Sequence, residues 1–154
     1  MQPEDPDKPL RPSEIATDTQ PGADAILGFV GHVETPWATR AACPKQGDPD
    51  GPDCAVILTP PWDQALRGIE RFEWIEVYLW YHLARRDLLV IDPAHGGGPR
   101  GVFALRSPVR PNPIAVSTVR LLAVEGARLV VRGLEAVNGT PLIDLKPGRC
   151  PFSR

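Results

Sequence analysis

Arg106, Arg110 and Asn112 stand in one segment, ALRSPVRPNPIAVSTVRL over residues 104–121, that also holds Pro108, Pro111 and Pro113. Proline fixes φ and drives the residue before it toward extended backbone, so three X-Pro pairs set most of this loop in advance. An arginine offers a planar donor fork for phosphate or carboxylate. An asparagine both donates and accepts, which suits the edge of a heterocyclic base. The chemistry on offer is anion and base recognition on a stiff loop. The competing reading is a rigid tie between two strands. A second polar group lies in NGTPLIDLKP, residues 138–147, where Asn138-Gly139 is a turn signal, Thr140 brings a hydroxyl, and Asp144 and Lys146 share a strand face. A plain hairpin turn explains that stretch equally well. His82 closes the aromatic run 73–82, where a side chain can reach a rim pocket.

Other chemistries lack support. His32, His82, His95, Asp92 and Asp144 show no metal-ligand spacing, so no metal is expected. Gly96-Gly97-Gly98 lacks the flanking pattern of a phosphate-binding loop and reads as a connector. Ser107, Ser117 and Ser153 stand in no GxSxG element. Cys43, Cys54 and Cys150 form neither a disulfide framework nor CxxC pairs, which fits a reduced, cytoplasmic setting. No apolar run reaches the roughly 18 residues of a membrane span. The net charge of −2 hides a basic C-terminal third, in which residues 100–154 carry nine bases and three acids, a net of +6. A local anion site fits that asymmetry.

The elements that must position these residues follow from periodicity. Residues 1–24 read as a flexible, acidic tail with five of the 19 prolines and few large apolar residues. The folded domain is expected over residues 25–154. Strands are expected over 25–35, 55–59, 73–82, 88–93 and 101–105, with one or two helical turns over 60–72 and a long irregular loop over 36–54. Both faces of 73–82 are largely apolar, which predicts a strand covered on two sides or a partner subunit on one. Two β-rich runs flank Glu125-Gly126-Ala127 as a hairpin, and 141–145 forms one more strand. The fold class is mostly β, a small antiparallel barrel or sandwich with one or two short helices.

PKQ in the long loop, DQALRGIERFEWIEVYLWYH, GVFALRSPVRPNPIAVS and NGTPLIDLKP follow one another in the order and spacing of the TsaA/TrmO family. The chain resembles that family from about Ile26 to Pro147. The resemblance implies a β-barrel, S-adenosylmethionine as cofactor, a homodimer with the pocket near its interface, and methylation of the exocyclic nitrogen of threonylcarbamoyl-adenosine beside a tRNA anticodon. It implies cofactor contacts at Pro44, Lys45, Gln46, His82, Leu83, Arg106, Asn138, Gly139, Thr140 and Pro141. RNA contacts are expected at Arg110, Asn112, Lys146 and Arg149. His82 and Asp144 are the candidates for accepting the proton. Tyr78, Trp80 and Tyr81 could face a cation, though core packing explains them as well. Asn138 stands where the family usually has aspartate, and Lys45 where arginine is common. The chain as given stops shortly after Pro147, before the C-terminal domain that larger members carry. A cofactor-binding module without tRNA methylation and a small-molecule methyltransferase are the alternatives.

Overall fold

The computed structural model describes residues 9–94 and 96–148. Their nine strands are β1 (Ile15–Ala16), β2 (Gly31–Glu34), β3 (Cys54–Leu58), β4 (Trp74–Trp80), β5 (Leu88–Ile91), β6 (Arg100–Gly101), β7 (Ile114–Glu125), β8 (Arg128–Arg132) and β9 (Pro141–Pro147). The chain divides into two compact units. One is a barrel unit, Leu27–Trp80 with the chain from Ala115 on. The other is an insert unit, the chain up to Ile26 with Tyr81–Ile114.

In the barrel unit six strands close antiparallel in the order β2-β3-β8-β7-β4-β9. Closure removes the edges that a flat sheet of this size would expose. Strict alternation along β4 decides its facing. Ile75, Val77 and Leu79 are fully buried, while Trp74, Glu76, Tyr78 and Trp80 are half-buried. Val33, Val56, Val119, Leu129, Val131 and Leu142 complete the interior from the other five strands. The outer face of β4 is amphipathic, although its residue types are mostly aromatic. Tyr78 Oη donates to Glu76 at 2.8 Å, and the Lys146 ammonium lies 5.4 Å from the centre of the Tyr78 ring. Register explains the cluster, since Tyr78 faces Asp144 and Glu76 faces Lys146 across the β4–β9 seam. The hydrogen bond to Glu76 pushes the Tyr78 phenol up, and the bond to Asp144 pushes the Lys146 ammonium up.

The turns agree with their sequence signals. Gly126, at φ 65°, makes the β7–β8 hairpin. Asn138-Gly139 precedes β9 with Gly139 at φ 82°, a conformation that costs glycine little. The helical stretch is two short 3-10 turns, Trp62–Leu66 and Ile69–Arg71.

The insert unit holds a three-stranded sheet, β1-β5-β6. Two expectations change here. The segment read as a tail contributes β1, which pairs with β5 and so covers its edge. Polar ties substitute for the missing apolar burial. Arg11 Nη1 donates to the Asp92 carbonyl at 2.6 Å, Ser13 Oγ donates to the Asp92 carboxylate at 2.9 Å, and the Thr17 amide donates to the Asp87 carbonyl at 2.8 Å. The second change is at residues 101–105, expected as a strand. Val102–Ala104 is a 3-10 turn, and only Arg100–Gly101 pairs, with β5. A short apolar run does not by itself distinguish strand from turn. The carbonyls of Val102 and Leu105 both accept from the Arg110 guanidinium, which curls the backbone around one cation.

A two-point fork joins Arg85 to Asp87, Nε to Oδ1 at 2.6 Å and Nη2 to Oδ2 at 2.8 Å. That hydrogen bonding holds the Asp87 carboxyl below its ordinary value of 3.8. A depressed carboxyl contributes stability above its unfolded pKa and loses it as pH falls through the folded one. The Arg85–Asp87 tie is therefore expected to persist at neutral pH and to be lost only in acid below pH 3.8. The Asp87 carboxyl carbon shift, followed by NMR, should titrate below that value. Arg85→Gln should return it to the ordinary range.

Candidate functional site

In the barrel unit the long loop that carries Pro44, Lys45 and Gln46 is held at its start and at Gly47. The loop after β2 starts against the turn at 138–140. The Thr35 amide donates to Asn138 Oδ1 at 3.1 Å, and Thr35 Oγ1 donates to the Ala136 carbonyl at 2.8 Å. The Asn138 amide donates to the Trp37 carbonyl and the Gly139 amide to the Val33 carbonyl, each at 2.8 Å. The same loop returns against residues 133–135. A Cβ on Gly47 would overlap the Gly133 carbonyl and lie 2.5 Å from Glu135 Oε2, so only glycine permits this approach. The start of the loop and Gly47 in its middle thus rest on one stretch, 133–140. Pro44, Lys45 and Gln46 immediately precede Gly47, the point at which the loop meets Gly133 and Glu135. Lys45, Gln46, Asn138 and Gly139 are exposed.

Thr140 takes a different part from the one expected. It is 2% exposed, and its hydroxyl donates to the Val137 carbonyl at 2.6 Å. It closes the turn and does not display its hydroxyl. Asn138 accepts the Thr35 amide through an oxygen that aspartate would also supply. Asn138→Asp is therefore expected to keep the turn and add a charge-assisted bond, while Asn138→Ala should cost about 1 kcal/mol. Urea unfolding of the three proteins checks this ordering.

Cys43, in the same loop, and Cys54, at the start of β3, are both free thiols. Burial pushes Cys43 up, with the charge of Glu135 adding to it. Burial, aided by Asp53, pushes Cys54 up to about 11. Neither is an activated nucleophile at neutral pH.

Lys146 and Asp144 form an exposed pair at 3.1 Å, and Asp144 Oδ1 also accepts the Leu145 amide at 2.8 Å. Arg149 lies outside the described residues.

In the insert unit the turn at His82–Leu83 is joined to the end of the proline loop. The Tyr81 amide donates to the Pro113 carbonyl at 2.9 Å, and the Ala84 amide donates to the Tyr81 carbonyl at 2.9 Å. Arg86 Nε donates to the Pro111 carbonyl at 2.8 Å. His82, Arg106 and Asn112 are exposed. Arg110 is the exception among the displayed residues. Its Nε donates to the Ser107 carbonyl at 3.0 Å, and its Nη2 to the carbonyls of Val102 at 3.1 Å and Leu105 at 2.5 Å. The expected RNA contact is a clamp on its own loop. Three carbonyls of its own loop accept from this guanidinium, so the fork turns in rather than out.

The sequence reading set Ser117 aside as a nucleophile and did not single out Glu135, and the structure pairs the two. Ser117 is 2% exposed and donates through Oγ to Glu135 Oε1 at 3.2 Å. The signal was there, since each is a polar residue inside an apolar run, IAVSTV and GLEAV. A polar group in such a run needs a partner. Among the described residues no group of histidine, cysteine and acidic side chains could hold a metal ion. Among them, too, no helix is long and apolar enough to cross a membrane.

The arrangement of motifs on a closed barrel is matched in known proteins. Residues 32–149 match the model of the tRNA-methyltransferase O N-terminal domain. A relative from Rhizobium radiobacter, named "Probable S-adenosyl-L-methionine-binding protein VirR", is 44% identical over 140 residues, covering 91% of this chain and 80% of its own. An S-adenosyl-L-methionine-binding protein of Archaeoglobus fulgidus is 39% identical over 121 residues, covering 79% and 87%. A crystal structure of TrmO from Pseudomonas aeruginosa superposes with a TM-score of 0.68 at 28% identity, covering 87% of this chain. The chain spans 61% of the length of that TrmO. With the matched region running from β2 through β9, and the site segments lying inside it, the chain belongs to the tRNA-methyltransferase O N-terminal domain family.

Proposed function

We propose that the chain is an S-adenosylmethionine-dependent methyltransferase acting on the exocyclic nitrogen of threonylcarbamoyl-adenosine beside the anticodon of a tRNA. The observation that supports this reading is that the loop carrying 44–46 is held at its start by Asn138 and at Gly47 by residues 133–135, inside the family match. The donor set there fits the cofactor. Gln46 and Asn138 present amides, which both donate and accept, as a purine edge requires. Lys45 brings a cation suited to a carboxylate. A Cβ placed on Gly139 would meet nothing within 4 Å, so backbone is open to close approach there. When bound, S-adenosylmethionine supplies an electrophilic methyl group, and the protein supplies binding and orientation.

On the RNA side, exposed Arg106 and Asn112 on the proline loop would hold phosphate and read a base edge, with Lys146 as a further cation. His82 and Asp144 remain the side chains offered as proton acceptor. Asp144 is engaged by Lys146 and the Leu145 amide, and His82 is exposed at the turn after β4. The reading includes a cytosolic homodimer. Light scattering that returns the mass of one chain would count against the dimer.

The test is labelled S-adenosylmethionine incubated with tRNA that carries the threonylcarbamoyl group, alongside tRNA that lacks it. Label should appear in the modified adenosine of the first only. A second reading, a cofactor-binding module without tRNA methylation, is favoured by the inward turn of Arg110, which leaves fewer cations for phosphate. Calorimetry showing cofactor binding, with no label transfer and no RNA binding even at low salt, would establish the second reading and overturn the first.

A further inference from the structure

Glu135 stands half-buried in the connection between β8 and β9, and its two carboxylate oxygens do different work. Oε1 accepts from Ser117 Oγ at 3.2 Å, and Ser117 is buried on β7, a strand of the barrel wall. That bond fixes the carboxylate against the barrel. Oε2 points to the long loop, only 2.5 Å from where a Cβ on Gly47 would stand. On the other side of residues 44–46, the same charge raises the Cys43 thiol, which places it within electrostatic reach of that residue too. Cys43 and Gly47 bracket Pro44, Lys45 and Gln46.

We propose that Glu135 is the positioning residue of the 44–46 loop, a carboxylate anchored by Ser117 on β7 and received by the missing side chain of Gly47. The inference rests on the cofactor-binding reading for what the loop does, but not for how the loop is held. A loop of this length has many conformations to lose on binding a ligand. Seating it in advance on a fixed carboxylate lowers that loss, so the effect appears in affinity more than in turnover. Gly47 matters because any Cβ would push the loop off both Glu135 and the Gly133 carbonyl.

The loop carries its own probe. Trypsin cleaves after lysine and arginine, and Arg40 and Lys45 both lie in it. In the full chain without ligand, Glu135→Ala should raise the rate of cleavage after Lys45 at least tenfold, in a protein that still unfolds cooperatively but with a lowered thermal midpoint, because the buried Ser117 hydroxyl loses its acceptor. Glu135→Gln, which keeps the Ser117 acceptor, should raise it twofold to threefold, and Ser117→Ala by an intermediate amount. Gly47→Ala should act like Glu135→Ala. If it does not fold, the other three variants still decide the matter. In calorimetry with S-adenosylhomocysteine, Glu135→Ala should weaken binding at least tenfold. In methyl transfer it should raise KM for the cofactor with kcat within about twofold of the parent. Cleavage within twofold of the parent in folded Glu135→Ala would overturn the proposal. Weakened binding with unchanged cleavage would also overturn it, because the carboxylate would then be acting on the ligand and not on the loop. Failure of the parent protein to bind S-adenosylhomocysteine would sink the proposed function, while the cleavage rates would still judge the positioning role.

Discussion

Arg110→Ala is expected to destabilise the insert unit by about 3 kcal/mol. The guanidinium is half-buried and donates to three carbonyls of its own loop. A hydrogen bond from a charged donor contributes about 1.5 to 3 kcal/mol, and partial exposure reduces each here to about 1. Removing the cation also leaves the carbonyls of Val102, Leu105 and Ser107 without it, and the 3-10 turn Val102–Ala104 keeps the bond from the Leu105 amide to the Val102 carbonyl at 3.3 Å. Arg110→Lys should recover less than a third of the loss, because one ammonium cannot match a planar fork spread over three acceptors. Hydrogen exchange of the segment 102–114 gives the measurement, with at least tenfold faster exchange expected in both variants. Unchanged exchange in Arg110→Ala would rule out the clamp. RNA titrations separate this residue from its neighbour. Arg106→Ala, which removes an exposed cation, should reduce the salt dependence of RNA binding by about one released counterion. Arg110→Ala should weaken binding while leaving that dependence intact.

Gly31→Ala is expected to cost the barrel unit about 3 kcal/mol, at the upper end of what overpacking does. The new methyl would overlap the Ile57 carbonyl, which is backbone of the adjacent strand and has no rotamer by which to retreat. Gly31 pairs with Leu58 of β3 and with Leu142 of β9, so displacement strains two seams of one closed barrel. For a unit of this size the midpoint should fall by roughly 15 °C. Gly28→Ala is the control, because a Cβ there meets nothing within 4 Å, and its change should stay within about 0.5 kcal/mol. Calorimetric scans of the two variants would show the contrast, and equal midpoints would remove the steric argument.

How far these features were legible in the sequence depends on the range of the forces behind them. Alternation in residues 74–80 was readable because a strand's side-chain period is set by its own backbone. Asn138-Gly139 and Glu125-Gly126-Ala127 were readable because turn conformation is local chemistry. The aromatic outer face of β4 misled in degree. Tyr78 is solvated and hydrogen-bonded, and its partners Asp144 and Lys146 arrive from β9 by register. Residues 101–105 were misread because five apolar residues fit both a strand and a turn, and the arbiter, Arg110, lies beyond the run.

The site was legible as a set of residue types and only partly as a set of roles. Prolines 108, 111 and 113 announced a constrained loop, and the structure displays Arg106 and Asn112 from it. Nothing in composition says which of two arginines on one loop turns inward. Thr140 looks the same in a sequence whether its hydroxyl faces a ligand or the Val137 carbonyl. Ser117 and Glu135 are 18 residues apart, and Gly47 is further still from both. By itself the sequence determined the β character, the turns, the stiffness of the proline loop and the family, since each rests on backbone preference or on an ordered string of motifs. Only the tertiary structure decided that Arg110 holds its loop, that the 9–24 segment adds a strand, and that Glu135 lies against Gly47. Those outcomes depend on which distant polar groups the closing of a sheet brings within hydrogen-bond reach, a geometric fact that no short stretch of chain contains.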